Sequence, residues 1–193
     1  MEGNPDRQDQ VLIPPDLTES FEPIIGQSVT LRPLRREDVD IEAAFLSGLS
    51  PESRHNRLLG GMIKITREYL ERLTTVDFSR DMALAAVLMI DDREVLIGVA
   101  RYVLEPAGRA CEFALVIADA WQGRGIGRRM MEKLIAVARG RCLAQIYGDV
   151  LATNRPMLEF CRKVGFRLSH HEDPTVTRVT LDLREGRQGP SPV

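Results

Sequence analysis

The sequence predicts a mixed α/β (α+β) domain: a mostly antiparallel central sheet of six to seven strands, flanked by helices on both faces. Three observations predict it. Met82–Ile90, Val95–Val103 and Ala110–Ile117 are consecutive apolar runs separated only by short polar turns, the pattern of hairpin-linked antiparallel strands. After them, apolar residues at helical spacing lead to another strand-like run, and a strand reached through a helix favours parallel pairing with a right-handed crossover. Between the two lies Trp121-Gln122-Gly123-Arg124-Gly125-Ile126-Gly127-Arg128-Arg129, with three glycines where strand hands over to helix.

The elements follow in order. Residues 1–20 are polar, with Pro5, Pro14 and Pro15, and read as a flexible lead-in. Val29–Leu34 alternates as a first or edge strand, where Pro33 is tolerable. Asp38 is placed to cap a helix running to about Ser47. Ser50 caps a second, short one with Pro51 at its first position. Thr66-Arg67-Glu68-Tyr69 starts a third. Met82–Ile90 is apolar throughout and suits a strand buried on both faces. Asp91–Glu94 is a polar turn, and Gly98 weakens the strand after it. Ile126, Met130, Leu134, Val137 and Ala138 mark an amphipathic helix stopped by Gly140. Leu143–Val150 is the next strand. Asn154 caps a helix with Met157, Leu158, Cys161 and Val164 on its apolar side, ended by Gly165. Phe166–Leu168 and Val176–Leu183 are late strands. The domain spans residues 21–184, and residues 185–193 read as a disordered tail.

Composition excludes several classes. Of 193 residues, 44% are apolar and 28% charged, the balance of a globular domain; a formal charge of -2 gives no general attraction to nucleic acid. The longest apolar stretch, Met82–Ile90, is too short to span a bilayer. The first residues lack the basic-then-apolar order of a signal peptide, so a cytoplasmic setting is expected. Cys111, Cys142 and Cys161 form no Cys-x-x-Cys pair, and the three histidines do not cluster with them, so no metal is expected.

The glycine segment is neither a Walker loop, since no Gly-Lys-Ser/Thr follows, nor a dinucleotide fingerprint, since Gly-x-Gly-x-x-Gly is missing. Bare amides opening a helix remain a place to hold a pyrophosphate, or else a tight turn with no ligand. Gln122-x-x-Gly125-x-Gly127, in this order of elements and followed by Asn154 and Lys163-Val164-Gly165-Phe166, resembles the GCN5-related N-acetyltransferase (GNAT) superfamily over about residues 28–183. Leu31-Arg32-Pro33-Leu34, Ser50-Pro51-Glu52-Ser53-Arg54, Glu112-Phe113-Ala114 and Asn154-Arg155-Pro156-Met157 narrow it: they are similar to the catalytic domain of bacterial Pat-type protein lysine acetyltransferases. Relatives often carry a fused acyl-CoA-synthetase-like or cyclic-nucleotide-binding part. The length here leaves room for neither, so a stand-alone catalytic unit is expected.

That resemblance implies a GNAT fold, acetyl-CoA as co-substrate, and transfer to a lysine of a protein partner, typically an acyl-CoA synthetase. It leaves open a small amine, an amino acid or a protein N-terminus as acceptor, and a non-catalytic module that binds coenzyme A. The implied coenzyme contacts are Leu115, Val116 and Ile117 for the pantetheine arm, Gln122, Gly123, Arg124, Gly125, Ile126 and Gly127 for the pyrophosphate, and Arg128 and Arg129 for added charge. The two arginines also read as ordinary solvated helix residues. Glu112, the one acidic residue in an apolar strand, matches the Pat-type catalytic glutamate. A lysine ammonium, with a reference pKa of about 10.4, must lose a proton before it attacks a thioester, and a carboxylate can take it. Glu112 also reads as a carboxylate that merely orients substrate. Asn154 is a helix cap, a pantetheine contact, or both, with Met157 beside it. Cys161 stands where many relatives carry a tyrosine acid; it reads as a packed thiol or as a group near the coenzyme sulfur. Asp119 and Asp149 are candidates to attract a cationic acceptor, and His55 and Arg57 to contact a protein substrate.

Overall fold

The computed structural model describes residues 17–61 and 63–184; the segments 1–16 and 185–193, covering most of the expected lead-in and the expected tail, lie outside the described residues. The described residues form one eight-stranded sheet. Its strands are β1 (Glu19–Ile24), β2 (Gln27–Pro33), β3 (Met82–Ile90), β4 (Arg93–Leu104), β5 (Ala110–Ile117), β6 (Gln145–Leu151), β7 (Arg167–His170) and β8 (Val176–Asp182). The helices are α1 (Val39–Gly48), α2 (Pro51–Arg57), α3 (Arg67–Thr74), α4 (Ile126–Gly140) and α5 (Arg155–Val164). Strand order is β1-β2-β3-β4-β5-β6-β8-β7, and only β5–β6 is parallel.

Two readings of the early chain are corrected. The lead-in does not reach residue 20: Leu17 is buried and β1 starts at Glu19, adding an eighth strand at the sheet edge, where Pro23 costs no ladder bond. Asp38 does not cap α1. Its carboxylate accepts from the Arg35 amide at 2.7 Å and takes the buried Arg32 guanidinium at 2.7 and 2.9 Å, while Arg32 also reaches Glu94. This cluster pins β2, the approach to α1, and β4 together.

The sheet is buried on both faces, and β3 shows why its sequence is unbroken apolar. Met82, Leu84 and Ala86 face one core with α4 and α5, while Ala83, Ala85 and Val87 face the other with α1 and α3. From α4 alone, Ile126, Met130, Met131, Leu134 and Ile135 are buried, each contributing about 1.5–3 kcal/mol. The helix runs through Gly140, and the left-handed turn falls on Cys142 (φ 59°) rather than on that glycine. Between β3 and β4 the turn is only Asp91-Asp92, both at positive φ (49° and 59°), the two-residue geometry that matches strand twist.

One feature of the sheet positions everything functional. β5 and β6 pair only at Ala110, Cys111 and Glu112, opposite Gln145, Ile146 and Tyr147. The next residue, Phe113, lies with its ring against Gly148 of β6, where an added Cβ would come within 2.7 Å of the ring. Phe113 also packs on Phe166 at 5.2 Å. The ring covers Gly148 on the face of the sheet that packs on α4 and α5, and from here on the strands part. On the other side of β5, Gly98 gives Ile117 a close seat, since a Cβ there would sit 2.6 Å from Ile117 Cδ1. Gly148→Ala is therefore expected to lose about 1–3 kcal/mol in urea unfolding through overpacking against Phe113. Gly140→Ala, with nothing within 4 Å of its Cβ, is expected to be neutral or stabilising by up to about 1 kcal/mol.

Candidate active site

The parting of β5 and β6 opens a cleft of about 410 Å³. Its walls are β5 from Glu112 to Ile117, the glycine loop, Asp149 and Val150 of β6, the start of α5, and one side of α2. The edge of β5 past Glu112 has no β6 neighbour, so Leu115 and Val116 present main chain to the cleft as a strand edge does. Ile117 is partly occupied, because its carbonyl accepts from Gln122 Nε2 at 3.0 Å.

Gln122 is thus a brace. The same nitrogen lies 3.2 Å from Ser53 Oγ, and Ser53 Oγ donates to Asp119 at 2.7 Å. Asp119 also accepts from the Ser50 amide at 3.0 Å and the Ser50 hydroxyl at 2.7 Å. These bonds, the Ser50 amide first, hold the Asp119 carboxyl down at about 2. Asp119 consequently ties α2 to the loop.

The loop itself has the geometry for a diphosphate. Gly123 and Gly125 sit at φ 73° and 81°, conformations that side chains rarely adopt. Gly125 opens α4 without a side-chain cap, so the first amides of the helix have no intrahelical acceptor and face outward with the positive end of the helix dipole. Gly123, Gly125, Ile126, Gly127 and Arg128 line the cleft. The Arg124 side chain turns away onto Trp121 at 5.2 Å, leaving only its amide to the loop. Arg128 pairs with Glu132 at 2.8 Å. Arg129 does not line this cleft; it pairs with Glu19 at 3.4 Å, lies over Phe21 at 4.4 Å, and lines an open hollow on the helix side of the loop with Gly125 and Arg128.

At the opposite end stands Glu112, the one exposed position of β5. Partial desolvation in the cleft raises its carboxyl above the ordinary glutamate value, and the Asp149 carboxylate adds to the rise, while Arg178 and Arg57 oppose it. Asn154 Oδ1 accepts from the Met157 amide at 3.2 Å, so the cap is real, and both residues also line the cleft. Cys161 is corrected as a coenzyme contact: it is fully buried in the core, and burial pushes its thiol up to about 12. Its neighbour Phe160 faces the cleft instead. Arg57 lines the cleft and His55 does not. No group of three or more metal-ligating side chains gathers among the described residues.

Sequence reasoning missed the partner of Asp149. Arg178 of β8 lies opposite it in the ladder and holds it through two bonds, at 2.5 and 2.9 Å. Nothing in the spacing of residues 149 and 178 signals this; it follows only from strand register.

The two loop glycines give a test. Gly125→Ala puts a side chain at φ 81°, costing about 1–2 kcal/mol, and should weaken coenzyme A binding in calorimetry by about tenfold. Gly127→Ala should leave binding within about twofold, since its Cβ would meet only Leu115 Cδ2 at 3.4 Å and Ile117 at 3.6 Å, ordinary contacts.

The comparisons agree with this geometry. The profile of the acetyltransferase (GNAT) family matches residues 61–166. The chain is 37% identical over 141 residues to Acetyltransferase PA5475 of Pseudomonas aeruginosa, covering 73% of this chain and 76% of that protein. Its fold is similar to the GNAT domain of S. lividans PAT, with TM-score 0.76, 24% identity and coverage of 88% and 98%. It is also similar to spermidine N-acetyltransferase from Vibrio cholerae in complex with CoA and spermine, with TM-score 0.64, 18% identity and coverage of 80% and 95%. A loop built for a diphosphate, a sheet parted beside it, and a family match over more than half the chain have one conclusion: the chain belongs to the GNAT family and is an acetyltransferase that uses acetyl-CoA.

Proposed function

We propose that the protein transfers the acetyl group of acetyl-CoA to the ε-amine of a lysine in a protein substrate, with acyl-CoA synthetases as the target class, in a cytoplasmic setting. The observation that carries the reading is the position of Glu112. It lines the cleft yet is the one exposed residue of its strand, so an amine can reach it from outside on a long side chain. A base serving a small enclosed substrate would be shut in with it. Arg57 and Asn56 of α2 and Leu59, which is 42% exposed, also line the cleft. These are surfaces for flanking protein. The Pat-type motif residues noted in the sequence support the same acceptor.

The chemistry is direct attack. Acetyl-CoA supplies the thioester, held by the glycine-loop amides. Glu112, as carboxylate, accepts a proton from the incoming ammonium, directly or through water. The freed nitrogen forms the new C–N bond, the C–S bond breaks, and the departing thiolate takes up, through water, the second proton that the nitrogen sheds as it becomes an amide. Cys161 takes no covalent part: its thiol is buried and stays neutral.

Incubation with acetyl-CoA, purified acyl-CoA synthetases, lysine peptides and polyamines, followed by mass-spectrometric mapping, tests the acceptor. Acetyl groups on lysine ε-amines of the synthetases are expected. Label confined to polyamines or to α-amines would overturn the lysine reading. Glu112→Gln should lose about 10²–10⁴-fold in kcat with coenzyme A affinity unchanged. The base works ionised and its carboxyl is raised, so activity should rise with pH along a limb centred above the reference glutamate value of about 4.3.

A further inference from the structure

We infer that Asp149 is a second carboxylate for the acceptor ammonium, and that Arg178 is the positioning residue that presents it. The inference rests on the proposed role of Glu112 and extends it to the recognition of the acceptor's charge.

The geometry begins with strand register. Glu112 pairs with Tyr147, and Asp149 is two residues further along β6, on the same face and just past the point where the strands part. Glu112 and Asp149 therefore stand on the two lips of the opening, and both line the cleft. Arg178 grips Asp149 through Nε at 2.5 Å and a terminal nitrogen at 2.9 Å, and its guanidinium lies over the Tyr147 ring at 4.6 Å. Such a fork fixes the carboxylate plane. On the far side His171 reaches the same carboxylate with Nε2 at 3.7 Å, while its Nδ1 accepts from the Asp173 amide at 3.0 Å. Asp149 is thus held by the Arg178 fork, with His171 nearby, in an orientation that a surface aspartate would not keep.

Charge gives the arrangement its sense. Glu112 alone would attract an ammonium but would also give up its usefulness as a base if a cation sat permanently beside it. Asp149 with Arg178 is a neutral pair whose negative end lies at the cleft and whose positive end lies behind it. The pair draws the ammonium in while leaving one net negative charge, that of Glu112, to receive the proton. The charged groups facing Glu112 are Asp149, Arg178, Glu105 and Arg57, and all but Asp149 and Arg178 remain constant in the test.

Asp149→Asn and Arg178→Met should act on Glu112 in opposite directions. Loss of the Asp149 charge should move the Glu112 titration to lower pH, and loss of the Arg178 charge should move it to higher pH. Carboxyl-13C NMR reads this without turnover, with the Glu112 resonance identified by its loss in Glu112→Gln. With a peptide carrying one lysine, Asp149→Asn should raise the acceptor KM about tenfold or more, the worth of a charge-assisted hydrogen bond, with acetyl-CoA KM unchanged. Arg178→Met should also raise the acceptor KM, because the Asp149 carboxylate loses the fork that orients it, and Arg178→Lys should fall between it and the parent protein; an acceptor KM unchanged in Arg178→Met would overturn the positioning role. If both losses shift Glu112 in the same direction, or Asp149→Asn leaves the acceptor KM within twofold, the inference fails. If Glu112→Gln keeps full turnover, it is instead the role of Glu112 as base that fails.

Discussion

Everything that binds or reacts in this fold depends on β5 and β6 ceasing to pair after Glu112. A parallel pair continued to its end would bury the main chain of Leu115 to Ile117 in the sheet and leave no space between them. At that point the Phe113 ring takes the room that Gly148 leaves on the core face of the sheet. Phe113 is the first residue after the last paired one, so it marks where the opening starts. It starts at the strand position that carries Glu112, so that carboxylate and the apex of the cleft coincide by construction.

The same parting separates two electrostatic tasks. Along one wall the orphan amides at the start of α4 offer partial positive charge without any side chain, which suits a diphosphate and keeps its cost of desolvation low. At the apex the charge is negative, from Glu112 and the outer end of the Asp149–Arg178 pair. Gln122 and Asp119 lie between, with the Gln122 Nε2 and the Asp119 carboxylate fastening α2 against the loop. The bracing explains how a loop with two left-handed glycines stays in register with a strand edge: Ser53, Gln122 and the Ile117 carbonyl form a continuous link from α2 to β5.

Much of this was legible in the sequence, for reasons of periodicity. Ala110–Ile117 and Met82–Ile90 match their strands residue for residue because unbroken apolar runs bounded by polar turns admit few readings. Asn154 and Gly165 were legible as caps because their chemistry is local, and so was the torsional demand on Gly123 and Gly125. What was not legible is non-local. β1 alternates only partly exposed residues and contains Pro23, so it looks like a tail until β2 is there to pair with it. Arg129 lies one residue from a cleft-lining arginine, yet helix geometry turns it by about 100° toward Glu19. Asp38 resembled a helix cap, and only the fold brings Arg32 across to claim it. Cys161 read either as a packed thiol or as a group near the coenzyme sulfur, and only the fold shows it sealed in the core.

The sealing of Cys161 bears on how the proposed transfer balances its protons. An alkylammonium with a reference pKa of about 10.4 must be stripped of a proton, whereas a thiol near 8.5 already leaves as a tolerable anion. The harder demand is on the nucleophile. A cleft with one raised carboxylate open to the acceptor, and a side chain from α5 that is Phe160 rather than an acid, answers that demand and no other. Raising Glu112 strengthens it as a base only as long as it remains ionised at working pH, so its exposure is as necessary as its partial desolvation. A fully buried glutamate would hold its proton and accept none, and a fully solvated one would be too weak to take a proton from an ammonium. The apex of a parted sheet, half walled and half open, places the carboxylate between those limits.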